Sequence, residues 1–330
     1  MKKKKFSKNN SENIAIRNII FNCANLKRNE RVVLIYDKLT ADLVNKFIFW
    51  IKKRTNCFKV VEDKSIKMHG FEPNLKTQKL MKRCDLILAL TSFSIAHTHA
   101  RKLSSMNGAR FLSLPEYSKK VLRDDSLKVN FKKCLGITKK VTNLLTLGKK
   151  IIIKTHKGTY LNLNIKNRIA NCCPGFVKNA GDLGSPPDIE SNISPLEEYS
   201  NGKIIVDGSI PHPNLGLLKE EITLYVENGY ITKIEGNKFL TNKVKTLFES
   251  VKNKKAKILA ECGIGMNPRA YLKGSMLTDE GSMGTLHLGF GSNNTIGGVN
   301  EVPFHLDFVI RKPSLQVDDK FIIRNGKFTI

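Results

Sequence analysis

Arg31-Val-Val-Leu-Ile-Tyr36 is an unbroken apolar run ended by Asp37. A strand with one face in water alternates polar and apolar side chains, so this run predicts a strand buried on both faces. The same logic extends outward from it. Thr40 to Lys53 has helical spacing, with Thr40 placed as N-cap. Phe58 to Val61 is a second strand, Pro73 to Arg83 a helix, and Asp85-Leu-Ile-Leu-Ala-Leu90 a third buried strand. His97 to Met106 reads as a helix stopped by Asn107-Gly108, and Arg110 to Leu114 as a fourth strand stopped by Pro115. Upstream, Asn13 to Cys23 has apolar residues at 14, 16, 19, 20 and 23, a helical pattern. Strands alternating with helices give right-handed crossovers and a parallel sheet, so an α/β Rossmann-like domain is expected. No G-x-G-x-x-G follows its first strand, so a dinucleotide is not implied.

Beyond this region the period changes. Residues 125 to 150 are basic and read as irregular, which places a boundary near 140 and predicts domains at 1–140 and 141–330. Ile151 to Thr155, Thr159 to Ile165, Lys203 to Val206, Glu221 to Glu227 and Tyr230 to Glu235 read as strands, and Leu240 to Lys252 as a helix. The second domain is therefore expected to be β-rich α+β.

A chain of 330 residues exceeds the size at which single cores stop growing, which agrees with two domains. Apolar content of 41% with 26% charged residues fits a globular protein, and no run approaches a membrane span. Met1 to Asn10 is basic but lacks an apolar core, so it reads as a solvated tail rather than a secretory signal. Seven Cys without a C-x-x-C pair argue against a zinc ribbon and for the reducing cytoplasm. The formal net charge is +27, and it is uneven: residues 1–150 hold 34 Lys and Arg against 11 Asp and Glu, residues 151–330 hold 22 against 18. The Lys are scattered and no nucleic-acid motif accompanies them, so a Lys-rich composition is the favoured explanation and nucleic acid a disfavoured partner. A homodimer stays open.

Residues 256 to 307 carry the chemistry. They hold Glu261, Asp279, Glu280, His287, His305 and Asp307 among many Gly and almost no Lys. Carboxylates and imidazoles are the ligands that zinc, cobalt, manganese and ferrous iron take. In His305-Leu306-Asp307 both polar side chains face one side of a strand, and Leu286-His287-Leu288 again turns its His to one face. Each His alone reads more simply as a satisfied core residue. Their proximity, with a Glu upstream and an Asp two positions on, favours a metal site on short strands.

Several motifs, in order, resemble those of the thermophilic metallo-aminopeptidases, the group that includes aminopeptidase T. They are Pro187-Asp-Ile-Glu190-Ser-Asn-Ile-Ser-Pro195, Asn201-Gly-Lys-Ile-Ile-Val-Asp-Gly208, Glu261-Cys-Gly-Ile-Gly-Met-Asn-Pro268, Met283-Gly-Thr-Leu-His287-Leu-Gly-Phe-Gly291 and His305-Leu-Asp307. The resemblance covers about residues 30 to 330. It implies a cytosolic two-domain hydrolase with two divalent metal ions (zinc, cobalt or manganese) held by Glu190, Glu261, His287, His305 and Asp307. Glu190 enters through the resemblance only, since its setting alone reads equally well as a surface turn. The implied activity is removal of N-terminal residues from a peptide substrate by a metal-activated water. Glu261 or Glu280 would carry the proton to the leaving amine. Glu280 also reads as a structural carboxylate.

The chain departs from that family at Asn294, where the pattern has a Tyr seven residues after the His. The departure weakens the case for peptide hydrolysis more than that for metal binding. A second enzyme class fits: His287, His305 and Asp307 are a two-His, one-carboxylate set of the kind that holds a single Fe(II), and ring-cleaving dihydroxypyridine dioxygenases also resemble this family. A non-enzymatic reading, a basic nucleic-acid-binding protein with a vestigial site, is the third.

Overall fold

The computed structural model describes residues 11–330; the basic stretch Met1 to Asn10, read as a tail, lies outside the described residues. The chain divides into two compact units. One comprises the described part of Met1–Lys132 with Gly175–Pro187, the other Lys133–Pro174 with Asp188–Ile330.

The first unit contains a five-stranded parallel sheet in the order Phe58–Glu62, Val32–Tyr36, Leu86–Leu90, Arg110–Ser113, Leu183–Gly184. Leu86–Leu90 is buried along its whole length and Val32–Tyr36 through Ile35, as central parallel strands are. Helices Ala41–Ile51, Leu75–Met81 and His99–Met106 connect the strands. Asn74 and Thr98 cap the last two by accepting from Thr77 N and Arg101 N. Thr40 precedes the first but caps nothing; its Oγ1 donates to Leu90 O at 2.7 Å and ties the helix start to the neighbouring strand. The Asn13–Cys23 pattern folds as an α-helix, Ser11–Asn18, that runs into a π turn, Ile19–Cys23.

The order in which strands are added reverses between Val32–Tyr36 and Leu86–Leu90, the crevice where open α/β sheets take ligands. Asp37 closes it here, accepting from Ser92 Oγ at 2.9 Å, Leu39 N at 3.0 Å and Thr40 N at 3.2 Å.

Residues 125 to 150 are not irregular. They contain a 17-residue helix, Phe131–Leu147. Phe131, Cys134, Thr138, Val141 and Leu145 are buried at alternating steps of three and four, so one stripe packs inward. Gly136, Thr138, Val141, Thr142 and Thr146 are weak helix formers, which obscured the pattern; burial of the stripe outweighs them.

The second unit has two antiparallel sheets. One has eight strands, in the order Tyr230–Gly236, Ile222–Glu227, Asn201–Val206, Tyr160–Asn164, Lys150–Lys154, Ser314–Val317, Lys320–Arg324, Lys327–Phe328. The other has seven: Gly216–Leu217, Ser209–Ile210, His305–Arg311, Thr285–Gly291, Leu259–Gly265, Glu190–Ile193, Asn171–Cys173. The protein is thus mixed α/β, with a parallel sheet in one unit and large antiparallel sheets in the other. The seven-stranded sheet has two unlike faces. Leu288, Phe290, Leu306 and Phe308 alternate with His287, Gly289, His305 and Asp307 along their strands. On the apolar face Phe308 stacks on Phe248 of helix Lys238–Ser250 at 6.3 Å and meets Phe290 edge-on at 5.6 Å. That packing fixes the register, because a slip by one residue would exchange the faces. No described helix is long and apolar enough to cross a membrane.

Candidate metal centre

The polar face of the seven-stranded sheet gathers all five expected ligands from four adjacent strands. Glu190 opens Glu190–Ile193, Glu261 lies in Leu259–Gly265, His287 in Thr285–Gly291, and His305 and Asp307 start His305–Arg311. His287 Nε2 lies 3.2 Å from Glu190 Oε2 and 3.6 Å from Glu261 Oε1. His305 Nε2 lies 3.2 Å from Glu261 Oε2 and 3.2 Å from Asp307 Oδ1. Two sets have all their donor atoms within 4.8 Å of one another: Glu190, Glu261 and His287, and Glu261, His305 and Asp307. Glu261 belongs to both. The combination of His287, His305 and Asp307 without Glu261 is not among the sets found in the described residues.

Room for these side chains comes from glycines across the ladder. Gly263 pairs with His287, Gly265 with Glu190, Gly289 with both Glu261 and Asp307, and Gly291 with His305. A Cβ on Gly263 would lie 2.0 Å from His287 Nε2, and one on Gly289 would lie 2.6 Å from His305 Nε2. The i+2 and i+4 glycines after Glu261 and after His287 therefore carry a signal that reading for ligands alone passes over.

The electrostatics are those of acids crowded out of water. Burial raises the Glu190 carboxyl to about 7, with Glu261 and Asp307 adding and His287 opposing. Glu190 Oε1 accepts from Asn192 Nδ2 at 2.6 Å, whereas Oε2 has no hydrogen-bond partner. Burial opposes ionisation of Glu261 too, yet hydrogen bonds from His287 and His305 hold it below the usual carboxylate range. Burial would lower His287, but Glu190, Glu261 and Asp307 prevail and raise it to about 10. His305 is also raised, by Asp307 and Glu261 against burial. Its Nδ1 donates to Ser292 O at 2.9 Å, which leaves Nε2 facing the carboxylates. Each proton on these imidazoles occupies the place of a cation, and a metal would displace it.

Asp279 and Glu280, neighbours in sequence, do different things. Asp279 is fully buried and structural: it accepts from Ser209 Oγ at 2.6 Å, and from Lys273 N and Gly274 N at 2.7 Å each. Glu280 has an unpartnered Oε1, and its carboxyl is raised by burial first and then by Asp307, Glu190, Asp188 and Glu261. Its field is that of the ligand cluster. Asp188, which the sequence did not single out, behaves alike: its Oδ1 is unpartnered, and burial and Glu190 raise it. Asn294 is exposed and accepts from Ser292 Oγ at 3.1 Å.

The family model described as "NicX: 2,5-dihydroxypyridine 5,6-dioxygenase" matches residues 33–330. A curated relative, 2,5-dihydroxypyridine 5,6-dioxygenase of Pseudomonas putida, is 22% identical over 263 residues, covering 77% of this chain and 73% of its own. The solved structure of a 2,5-dihydroxypyridine dioxygenase from the same organism superposes with a TM-score of 0.83 at 18% identity, covering 97% of this chain and 98% of that one. AmpT from Thermus thermophilus superposes with a TM-score of 0.70 at 13% identity, covering 97% and 99%.

These findings correct the expected activity. The likeness to aminopeptidase T is one of fold, while the family model describes a dioxygenase, so the reading as a metallo-aminopeptidase, a hydrolase acting on peptides, is overturned. A two-zinc centre is likewise unsupported. The physical reason is that the ordered motifs report a scaffold. Strand-borne Glu, His and His-x-Asp with glycines opposite make a place for a cation, and they leave open which reaction the cation serves.

Proposed function

The chain belongs to the 2,5-dihydroxypyridine 5,6-dioxygenase family, and on that basis we propose that it is an iron-dependent dioxygenase opening the ring of a small dihydroxylated N-heteroaromatic. The observation that carries this reading is that the family match spans both units and the whole donor cluster. The donor set fits ferrous iron: carboxylates and imidazoles, a buried Glu190 Oε2 that has no hydrogen bond and only the His287 imidazole 3.2 Å away, and glycine-bounded room. Glu261, His305 and Asp307 would hold the iron, since His305 is the least buried of the ligands and leaves that side open to a substrate. His287 and Glu190 would hold Glu261 from the other side. Iron bound there supplies the redox chemistry that lets dioxygen react with a ring diol.

The chain's own residues position and move protons. Ser292 O fixes the His305 tautomer and so keeps Nε2 free for the ligand role. Glu280, uncommitted at Oε1, would exchange a proton with a ring hydroxyl. The test is anaerobic loading with ferrous iron, followed by 2,5-dihydroxypyridine and oxygen. Consumption of one dioxygen per ring, with loss of the ring's ultraviolet absorption, is expected. Iron-loaded protein that takes up no oxygen with this or related diols would refute the reading.

A further inference from the structure

The first unit holds, within itself, a cleft of about 640 Å³ beside the π turn Ile19–Cys23. Arg17, Arg54, Lys128 and Lys132 line it, with Phe21 and Asn22 of the π turn. Lys128 has Asp125 at 2.6 Å; no carboxylate among the described residues pairs with Arg17, Arg54 or Lys132. Like charges left facing one cleft repel, and an open surface would let long side chains spread apart. Of these cations, Arg54 is held in place. The Arg54 guanidinium lies over the Phe21 ring at 4.9 Å, which fixes the cation while leaving its in-plane N–H donors free. The π turn sets Phe21 and Asn22 on the cleft wall, and Asn22 is held by donating to Asn18 Oδ1 at 2.6 Å. The volume falls within the range of small-molecule sites, roughly 300 to 1,000 Å³.

We propose that this cleft binds a ligand carrying two or more linked phosphates. Several unpaired cations around one volume match several anionic groups held together, and planar guanidinium forks suit phosphate oxygens. The excess of Lys and Arg in residues 1–150 is then more than composition, because part of it converges. Phosphates of this kind come from free nucleotides or from a nucleic-acid backbone, and the probes separate the two.

Calorimetric titration of the full-length protein with inorganic tripolyphosphate, a nucleoside triphosphate and a ten-nucleotide single-stranded RNA makes the test. Saturable binding is expected for tripolyphosphate. In the double variant Arg17→Glu/Arg54→Glu it should weaken by at least about 10-fold, the size of one lost charge-assisted hydrogen bond. A control with the same charge change, Lys79→Glu/Lys82→Glu, should weaken it less than about 3-fold, as expected of screened surface charge. Tighter binding of the RNA, lost in the same double variant, would name nucleic acid as the source; equal binding of the triphosphate would name a free nucleotide. A second measurement does not depend on the variant folding: tripolyphosphate should protect Arg17 and Arg54 of the wild-type protein from phenylglyoxal, read by peptide mass. Absence of saturable binding by all three probes, equal weakening in the control, or unprotected arginines would each overturn the proposal.

Discussion

Asp63 and Glu190 are both buried carboxylates, one in each unit, and they have opposite environments. Asp63 follows the Phe58–Glu62 strand with no exposed surface. Burial would raise it, yet Ser65, Thr77 and Asn74 together hold it below the usual range. Ser65 N donates at 2.9 Å and Asn74 N at 3.0 Å. Asp37, at the end of the neighbouring strand, is saturated by donors in the same manner. Glu190 has one hydrogen-bond donor, a second oxygen faced only by the His287 imidazole, and a carboxyl raised to about 7. The difference separates two uses of a buried acid. One surrounded by N–H and O–H groups holds loops in place. One surrounded by other acids and imidazoles is costly until a cation arrives. On that criterion the parallel sheet's C-terminal crevice is structural and the antiparallel sheet's polar face is the candidate cation site, although ligand-binding crevices are common at the former.

The sharpest way to break the comparison is to fill the room at the functional end. Gly263→Ala places a Cβ where the His287 ring lies, and His305→Ala deletes a donor. His305→Ala should lose bound metal and at least about 1,000-fold in oxygen uptake while remaining folded; Gly263→Ala, which displaces the His287 that holds Glu261, should cost about the 10- to 100-fold typical of losing an outer partner. Metal analysis after dialysis and circular dichroism check this; a Gly263→Ala protein with wild-type metal content and activity would show that His287 does not hold Glu261 in place. Glu280→Gln should cost about 10- to 100-fold in turnover and keep its metal, because it removes a proton carrier and no ligand. If it strips the metal as His305→Ala does, Glu280 is itself a ligand.

Acid should weaken the metal. The His305 imidazole, its pKa raised by Asp307 and Glu261 against burial, must give up its proton before a cation binds between it, Glu261 and Asp307. Affinity should therefore fall as pH drops from about 8 to 6, by roughly 10-fold per unit for each proton displaced. A pH-independent affinity would contradict the protonation assigned to the site. Asp63 behaves oppositely and its effect is the smallest. Its depressed pKa means its stabilisation is present above the ordinary carboxylate pKa, about 3.9, and is lost as pH falls through the folded value. Asp63→Asn should thus cost about 1 to 3 kcal/mol near pH 6, cost less near pH 2, and leave metal content unchanged. Urea unfolding at both pH values measures it.

Much of the scaffold was legible before folding. Val32–Tyr36 and Leu86–Leu90 announced themselves because a strand buried on both faces has no position to spare for a polar residue. The pairing of His305 with Asp307 followed from the two-residue period of a strand. Helix Phe131–Leu147 escaped because its buried stripe includes a Thr and a Cys, and Gly136 lowers its propensity. Glu190 could not be read locally: the Pro-rich segment before it looks like a surface turn, and it is buried where Glu190–Ile193 pairs with Leu259–Gly265 on one side and Asn171–Cys173 on the other.

What the sequence determined by itself was the alternation of elements in the first unit, the β-rich character of the second, and a stretch dense in metal-binding side chains. These are local properties, set by periodicity and residue chemistry. The tertiary structure alone decided which carboxylates have donors and which have only one another. Asp279 and Glu280 are adjacent, both acidic and both near the ligands in sequence, yet Asp279 is tied to Ser209 from 70 positions away while Glu280 is left open. A carboxylate's use depends on groups brought to it by long-range pairing, and no local pattern carries that information.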